Sequence, residues 1–249
     1  MSPQRQSLTE DEFKARLRDG ATLRDLELRD ADLSATIAHS VKLRNCTFVN
    51  VTFAAAEWES LRATNCAFPG CRFEGASFVE STFTTCSFFD PDTSKGCSLD
   101  RSKLRFATFT DCMLDGCTFD EADLENLTLR GSRATGAHFY KASFVGTAIL
   151  KDSILRYADL RDANLAECDL SGSDFEWALL DAANCSGANL RNATLTQASL
   201  KGTNLRRADL RNAALGGFDP RILDARGAQL FESQARPILE AMDLIVYDD

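Results

Sequence analysis

Nine cysteines and two histidines are the residues of this 249-residue chain whose types suit metal, redox or nucleophilic chemistry. A metal centre needs three or four such side chains converging on one point. A nucleophilic site needs a histidine within hydrogen-bond reach of its serine or cysteine, inside a cleft. The chain's periodicity gives neither. His39 and His138 fall on outward positions of a repeat, where the surface is convex. Cys46, Cys66, Cys71, Cys86, Cys97, Cys112, Cys117 and Cys168 fall where that repeat elsewhere places a small apolar residue, and Cys185 falls where it places a large one. They read as buried fillers. Cys46, Cys66 and Cys86 would stack closely enough for a disulfide, which a reducing compartment opposes. No glycine-rich phosphate loop is present. The expectation is a non-enzymatic protein with no cofactor and no metal.

Charge is the chemistry that remains. Between Phe106 and Leu129 stand six acids and no base: Asp111, Asp115, Asp120, Glu121, Asp123 and Glu125. With Asp100 one repeat earlier, they suggest an acidic face that binds a basic protein groove. The net charge of −9 argues against free nucleic acid as a partner and for a cationic one. No apolar run is long enough to cross a bilayer, and the polar start of the chain is unlike a signal peptide, so a cytoplasmic protein is expected.

The element that must position these groups is a unit of five residues. Its middle residue, the centre, is Leu or Phe at 33 of 38 positions, in three registers: Leu23 to Phe88, Leu99 to Phe144, and Leu150 to Leu215. The exceptions are Ala38, Trp58, Ala63, Ala134 and Cys185. Two residues before each centre sits a small or compact residue, usually Ala, Cys, Ser or Thr. A period of five fits neither a helix nor a flat strand. It fits a chain that turns a corner after every unit, with the centre and the small residue both pointing inward. Four sides make one coil of about twenty residues, and coils stack at about 4.8 Å. The result is an all-β, quadrilateral β-helix of about ten coils over residues 21–217.

The ends and breaks are legible too. Thr9 and Glu12 form a capping box, and Leu8 with Phe13 a hydrophobic staple, so residues 1–20 should hold a helix to about Arg18 that caps the first coil. Residues 89–96, Phe89-Asp90-Pro91-Asp92-Thr93-Ser94-Lys95-Gly96, contain no centre and read as a projecting loop, or as a slip healed by a bulge. A second break at Gly146-Thr147 needs one extra residue. Residues 218–249 should close the rod with a capping or dimerisation helix and strand, the helix over Ser233–Met242 with Leu239 and Met242 on one face and Pro237 in or near its first turn. The apolar Leu244-Ile245-Val246-Tyr247 either folds back over the last coil or pairs with a second subunit; a two-fold homodimer through Leu239, Met242, Leu244, Ile245 and Val246 is the favoured expectation.

The repeat resembles the pentapeptide-repeat family, which implies a right-handed coil. Three segments are similar to the quinolone-resistance (Qnr-type) members: Phe89-Asp90 through Lys95-Gly96-Cys97-Ser98; Ser132 through Phe139 with Ala142-Ser143-Phe144; and Leu230 through Val246. That resemblance implies a protein that imitates duplex DNA, occupies the DNA-binding saddle of DNA gyrase and topoisomerase IV, and relieves poisoning by gyrase-directed drugs. On it, Asp90, Asp92 and Lys95 of the loop, with Asp100, Asp111, Asp115, Asp120 and Asp123, are the expected gyrase-facing residues. The larger second loop of those relatives is absent, and the N-terminal helix is an addition. An adaptor unrelated to topoisomerases is the alternative reading.

Overall fold

Each five-residue unit solves the same local problem: burying two side chains, exposing three, and turning. Leu28, Leu33 and Leu43 are buried at centres, and Ala31, Val41 and Cys46 are buried two residues earlier. The corner falls two residues after the centre, where the backbone enters the left-handed region: φ is 55° at Asp25, 50° at Asp30, 52° at Ala35 and 55° at Ser40. Glycine reaches this region most easily, as at Gly70 and Gly75, and short polar side chains such as Asp and Asn come next. Stacked corners then bond one another, Asn45 Nδ2 donating to Asp25 Oδ1 at 2.9 Å and Asn65 Nδ2 to Asn45 Oδ1 at 2.8 Å.

In the computed structural model, which describes residues 5–144 and 146–247, these units wind into a parallel β-solenoid with a short helix at each end. The elements are β1 (Gln6–Leu8), α1 (Glu10–Arg16), β2 (Thr22–Arg24), β3 (Leu26–Arg29), β4 (Lys42–Arg44), β5 (Thr47–Val49), β6 (Arg62–Thr64) and β7 (Thr82–Thr84). There follow β8 (Phe89–Asp90), β9 (Lys95–Gly96), β10 (Thr108–Thr110), β11 (Thr128–Arg130), β12 (Ile149–Lys151) and α2 (Glu232–Ala241). The first face is a seven-stranded parallel sheet in the order β12-β11-β10-β7-β6-β4-β2. Its register is twenty residues, Leu23 beside Leu43 and Leu43 beside Ala63, except across the loop, where Phe83 meets Phe109, and across the second break, where one extra residue sets Leu129 beside Leu150. The second face begins as β1-β3-β5 and continues through single bridges such as Ser87↔Met113. The third and fourth faces are built of single bridges, Asp32↔Thr52 and Ile37↔Glu57 starting them. Seven turns thus carry three-residue strands on the first face, fewer than the ten coils expected. From Asp169 onward its rungs are single bridges, ending at Asp209↔Gln229.

All five exceptional centres are buried, and the first has a reason. Ala38 stands one rung before Trp58, and Phe13 of α1 lies parallel over the Trp58 ring at 6.2 Å and edge-on to Phe48 at 5.6 Å. A large side chain at position 38 would compete for that volume. Beyond this cap the axis is filled by ring ladders, Phe48-Phe68-Phe88 and Phe83-Phe109 among them, at centroid spacings of 4.7–5.3 Å.

Both caps differ in detail from the sequence expectation. The capping box at Thr9 is present, but α1 ends at Arg16, and β1, unforeseen, adds a rung ahead of β3. Glu10 Oε2 ties α1 to the first coil by accepting from Asp32 N at 2.8 Å. In α2, Pro237 lies in the interior of the helix and not its first turn. The helix survives because it is anchored elsewhere. Ile238 is the buried residue, while Leu239 points out and Met242 packs partly against the core. Gln234 makes four bonds: its Oε1 accepts from Phe231 N and Asn212 N, and its Nε2 donates to Leu210 O and Ala213 O.

Candidate partner-binding surfaces

The break at residues 89–96 is a tight antiparallel hairpin, Phe89 opposite Gly96 and Asp90 opposite Lys95, at the corner between the second and third faces. Asp90 is its keystone. Its Oδ1 accepts from Asp92 N at 3.0 Å and its Oδ2 from the Thr93 hydroxyl at 2.7 Å, and the hydroxyl bond holds the Asp90 carboxyl below its ordinary range. Asp90 is therefore buried as a structural acceptor, whereas Asp92 and Lys95 are exposed at the tip. Gly96 fixes the base of the hairpin: a Cβ there would stand 2.2 Å from Cys117 N and 2.3 Å from the Gly116 carbonyl carbon.

The acids of the 106–129 run are not brought together on one face. Asp111 sits at a corner following the first face, Asp115 on the second, Asp120 on the third, and Asp123 with Glu125 on the fourth. Neighbouring coils neutralise several of them. Arg133 Nε lies 2.5 Å from Asp115 Oδ2, and Arg105 pairs with both Glu125 and Asp123. Asp100 and Asp120 do stack, on the third face. Asp100 Oδ1 accepts from Asp120 N and Asp120 Oδ1 from Tyr140 N, each at 3.1 Å. Burial raises the Asp120 pKa, with the Asp100 charge adding to the rise. Next along this face, Asp159 is held below the ordinary range by Arg161, which bonds it through Nε and Nη2. His138 and Tyr140 share the shallow hollow these side chains line.

The remaining chemistry-bearing residues are spoken for by the fold. All nine cysteines are free thiols in the interior, and burial pushes Cys71, Cys117, Cys168 and Cys185 up to about 12. Among the described residues no group of three His, Cys, Asp or Glu side chains is placed to hold a metal ion, and no helix is long and apolar enough to cross a membrane. At the C-terminal end Leu244, Ile245 and Tyr247 are exposed, Ile245 and Tyr247 by 80% and 82%. Among the described residues no strand forms there; the tail doubles back along α2, with Arg236 Nη2 donating to Val246 O at 2.8 Å.

The geometry just described has counterparts. A model of the pentapeptide repeat region matches residues 61–139, and a model of eight pentapeptide repeat copies matches residues 150–181 and 183–219, together more than half of the sequence. The chain belongs to the pentapeptide-repeat family. Within that family it is similar to the quinolone resistance pentapeptide repeat protein QnrB96 of Scandinavium goeteborgense, 29% identical over 92 residues, and to the pentapeptide repeat protein QnrB4 of Escherichia coli, 28% identical over 92 residues. These alignments take in 33% of this chain and 43% of each relative, less than half the relatives' length. Among solved structures, a trypsin-treated variant of QnrB1, a plasmid-mediated fluoroquinolone resistance protein, superposes with a TM-score of 0.76 at 27% identity, covering 86% of this chain and all (100%) of the other. Full-length QnrB1 gives 0.73 at 26% identity over 90% and 100%. The pentapeptide-repeat chain described here is thus Qnr-like in fold.

Proposed function

We propose that this protein is a non-catalytic DNA mimic that binds DNA gyrase or topoisomerase IV and modulates it, so that it can act as a resistance factor against topoisomerase-poisoning antibiotics. The observation that carries this reading is the superposition on a fluoroquinolone resistance protein along almost the whole rod. The hairpin at residues 89–96 and the Asp100–Asp120 column supply a surface on adjoining faces that a cationic protein groove can engage. Charge density alone does not make the imitation. Duplex DNA carries one charge per about 1.7 Å, far more than a chain of net −9 offers. Rod shape plus local acids must do it.

The test is a gyrase supercoiling and cleavage assay with and without a cleavage-stabilising quinolone, using wild-type protein, Asp120→Lys, and a deletion of residues 90–95. The proposal expects the wild type to change supercoiling or drug-stabilised cleavage at micromolar concentration and the variants to weaken that effect. No effect of the wild type on either reaction ends it. The second reading, an interaction scaffold unrelated to topoisomerases, draws on the added N-terminal cap, β1 with α1. It is favoured if a pull-down recovers another stable partner and no gyrase subunit.

A further inference from the structure

The cations of this protein are deployed in two ways. Along the C-terminal half, arginines sit beside their own acids: Arg161 with Asp159, Arg211 with Asp209, Arg221 with Asp219 and Arg226 with Asp224. At the N-terminal end of the first face the arrangement is opposite. The strand register sets Lys42 beside Arg62 and Arg24 beside Arg44, on rungs about 4.8 Å apart. Arg16 and Arg18 extend the group from the cap, lining a hollow of about 390 Å³ with Arg24, next to a second of about 330 Å³ between Lys42, Arg44 and Arg62. All six are exposed, and none pairs with an acid among the described residues. Asp25, at the corner after Arg24, is engaged by Asn45, and Asp19 accepts from His39 N. Bonds from Thr9 lower the Glu12 carboxyl, and Arg16 stands close enough for its charge to help; the other five like charges are held together by the fold with no ion pair among the described residues.

What would sit on such a face follows from what surrounds the charges. A protein partner requires an apolar anchor at the centre of its contact. The exposed large apolar side chains, from Ile37 and Phe106 to Trp177 and Leu179, lie on other faces or corners. The residues interleaved with the cations are threonines, Thr22, Thr64 and Thr82. Arginine, lysine and threonine on a sheet face are the donors that phosphodiester oxygens take; no aromatic side chain lines the two hollows, and the amide that does, Gln6, spends its oxygen on Arg16 at 3.2 Å. We propose that the N-terminal end of the first face is a sequence-independent binding site for the phosphate backbone of duplex nucleic acid. The site is separate from the gyrase-facing hairpin and goes beyond the function proposed above. The chain's net charge averages over four faces and conceals it.

The experiment is fluorescence anisotropy of the full chain with a labelled duplex DNA of about 20 base pairs across a salt series, with no topoisomerase present. Binding should weaken with salt with a log–log slope of about −4 if the four sheet cations each neutralise one phosphate. Arg44→Glu with Arg62→Glu should abolish it, whereas Arg207→Glu at the far end of the rod should leave it intact. Should the double reversal fail to fold by circular dichroism, Arg44→Gln with Arg62→Gln should lower the slope by about 2. Absence of binding at low salt overturns the site. So does a polyglutamate competitor that displaces DNA at equal charge concentration, since the face would then belong to acidic protein segments.

Discussion

At Asp120 two effects oppose each other: a bond accepted from Tyr140 N favours the carboxylate, while burial and the Asp100 charge one rung away disfavour it, and the balance raises the pKa. A carboxyl raised on folding contributes stability that is present below its unfolded pKa and lost as pH rises through the folded one. Asp120→Asn keeps an acceptor oxygen and removes the charge. It should raise Tm slightly near neutral pH, and the gain should vanish below about pH 3, where the wild-type carboxyl is protonated too; thermal melts across that range check it. Gly96 argues through volume instead. With Cys117 N 2.2 Å from an added Cβ, Gly96→Ala must push the hairpin off the next coil, and an overpacking loss of about 1–3 kcal/mol is expected in denaturant titrations. The stacked Asp100–Asp120 column was legible in the sequence, because residues twenty apart share a side. The run of six acids misled for the same reason read the other way: neighbours in sequence pass three corners and face different directions. Columns also show Lys42 beside Arg62 and Arg24 beside Arg44, a signal present in the sequence that net charge obscured.

Elements at the two ends work as stoppers for an open stack, and each uses a plug and a latch. For α1 the plug is Phe13 over Trp58 and the latch is Glu10 on Asp32 N. For α2 they are Ile238 and the four-bonded Gln234. The N-terminal stopper was readable because capping boxes and staples are local; β1 was not, because its pairing with β3 is a contact across twenty residues with no repeat signature of its own. The interior Pro237 shows tertiary anchoring overriding a helix breaker, which local propensity cannot reveal. Phe13→Ala removes a fully buried ring and opens the end of the stack, so a loss of about 3–5 kcal/mol is expected. Because solenoid stability is a sum over neighbouring coils, hydrogen exchange should speed first in β2, β3 and β4, leaving the coils around Leu165 protected. A uniform loss of protection along the whole rod would contradict that picture.

For the whole molecule the stack makes a rod whose four faces hold different chemistry: unpaired cations near one end of the first, an acid column and hairpin where the second and third meet, and bare apolar side chains at the C-terminal tip. Leu239, Leu244, Ile245 and Tyr247 are exposed together there, beside a tail that runs back along α2. A rod that joins a second copy through this tip would double its length and place the two N-terminal basic faces at opposite extremes, with the hairpins between. Burying these side chains against their two-fold mates is the simplest way to remove them from water. Ile245 is the side chain to change, because at 80% exposure it contributes little to the monomer's core. Ile245→Asp should leave Tm at low protein concentration unchanged and convert a dimer to a monomer in light scattering after size exclusion. Should the wild type already run as a monomer at tens of micromolar, the tip is not a dimer contact. The gyrase assay would then have to be read for a rod of single length.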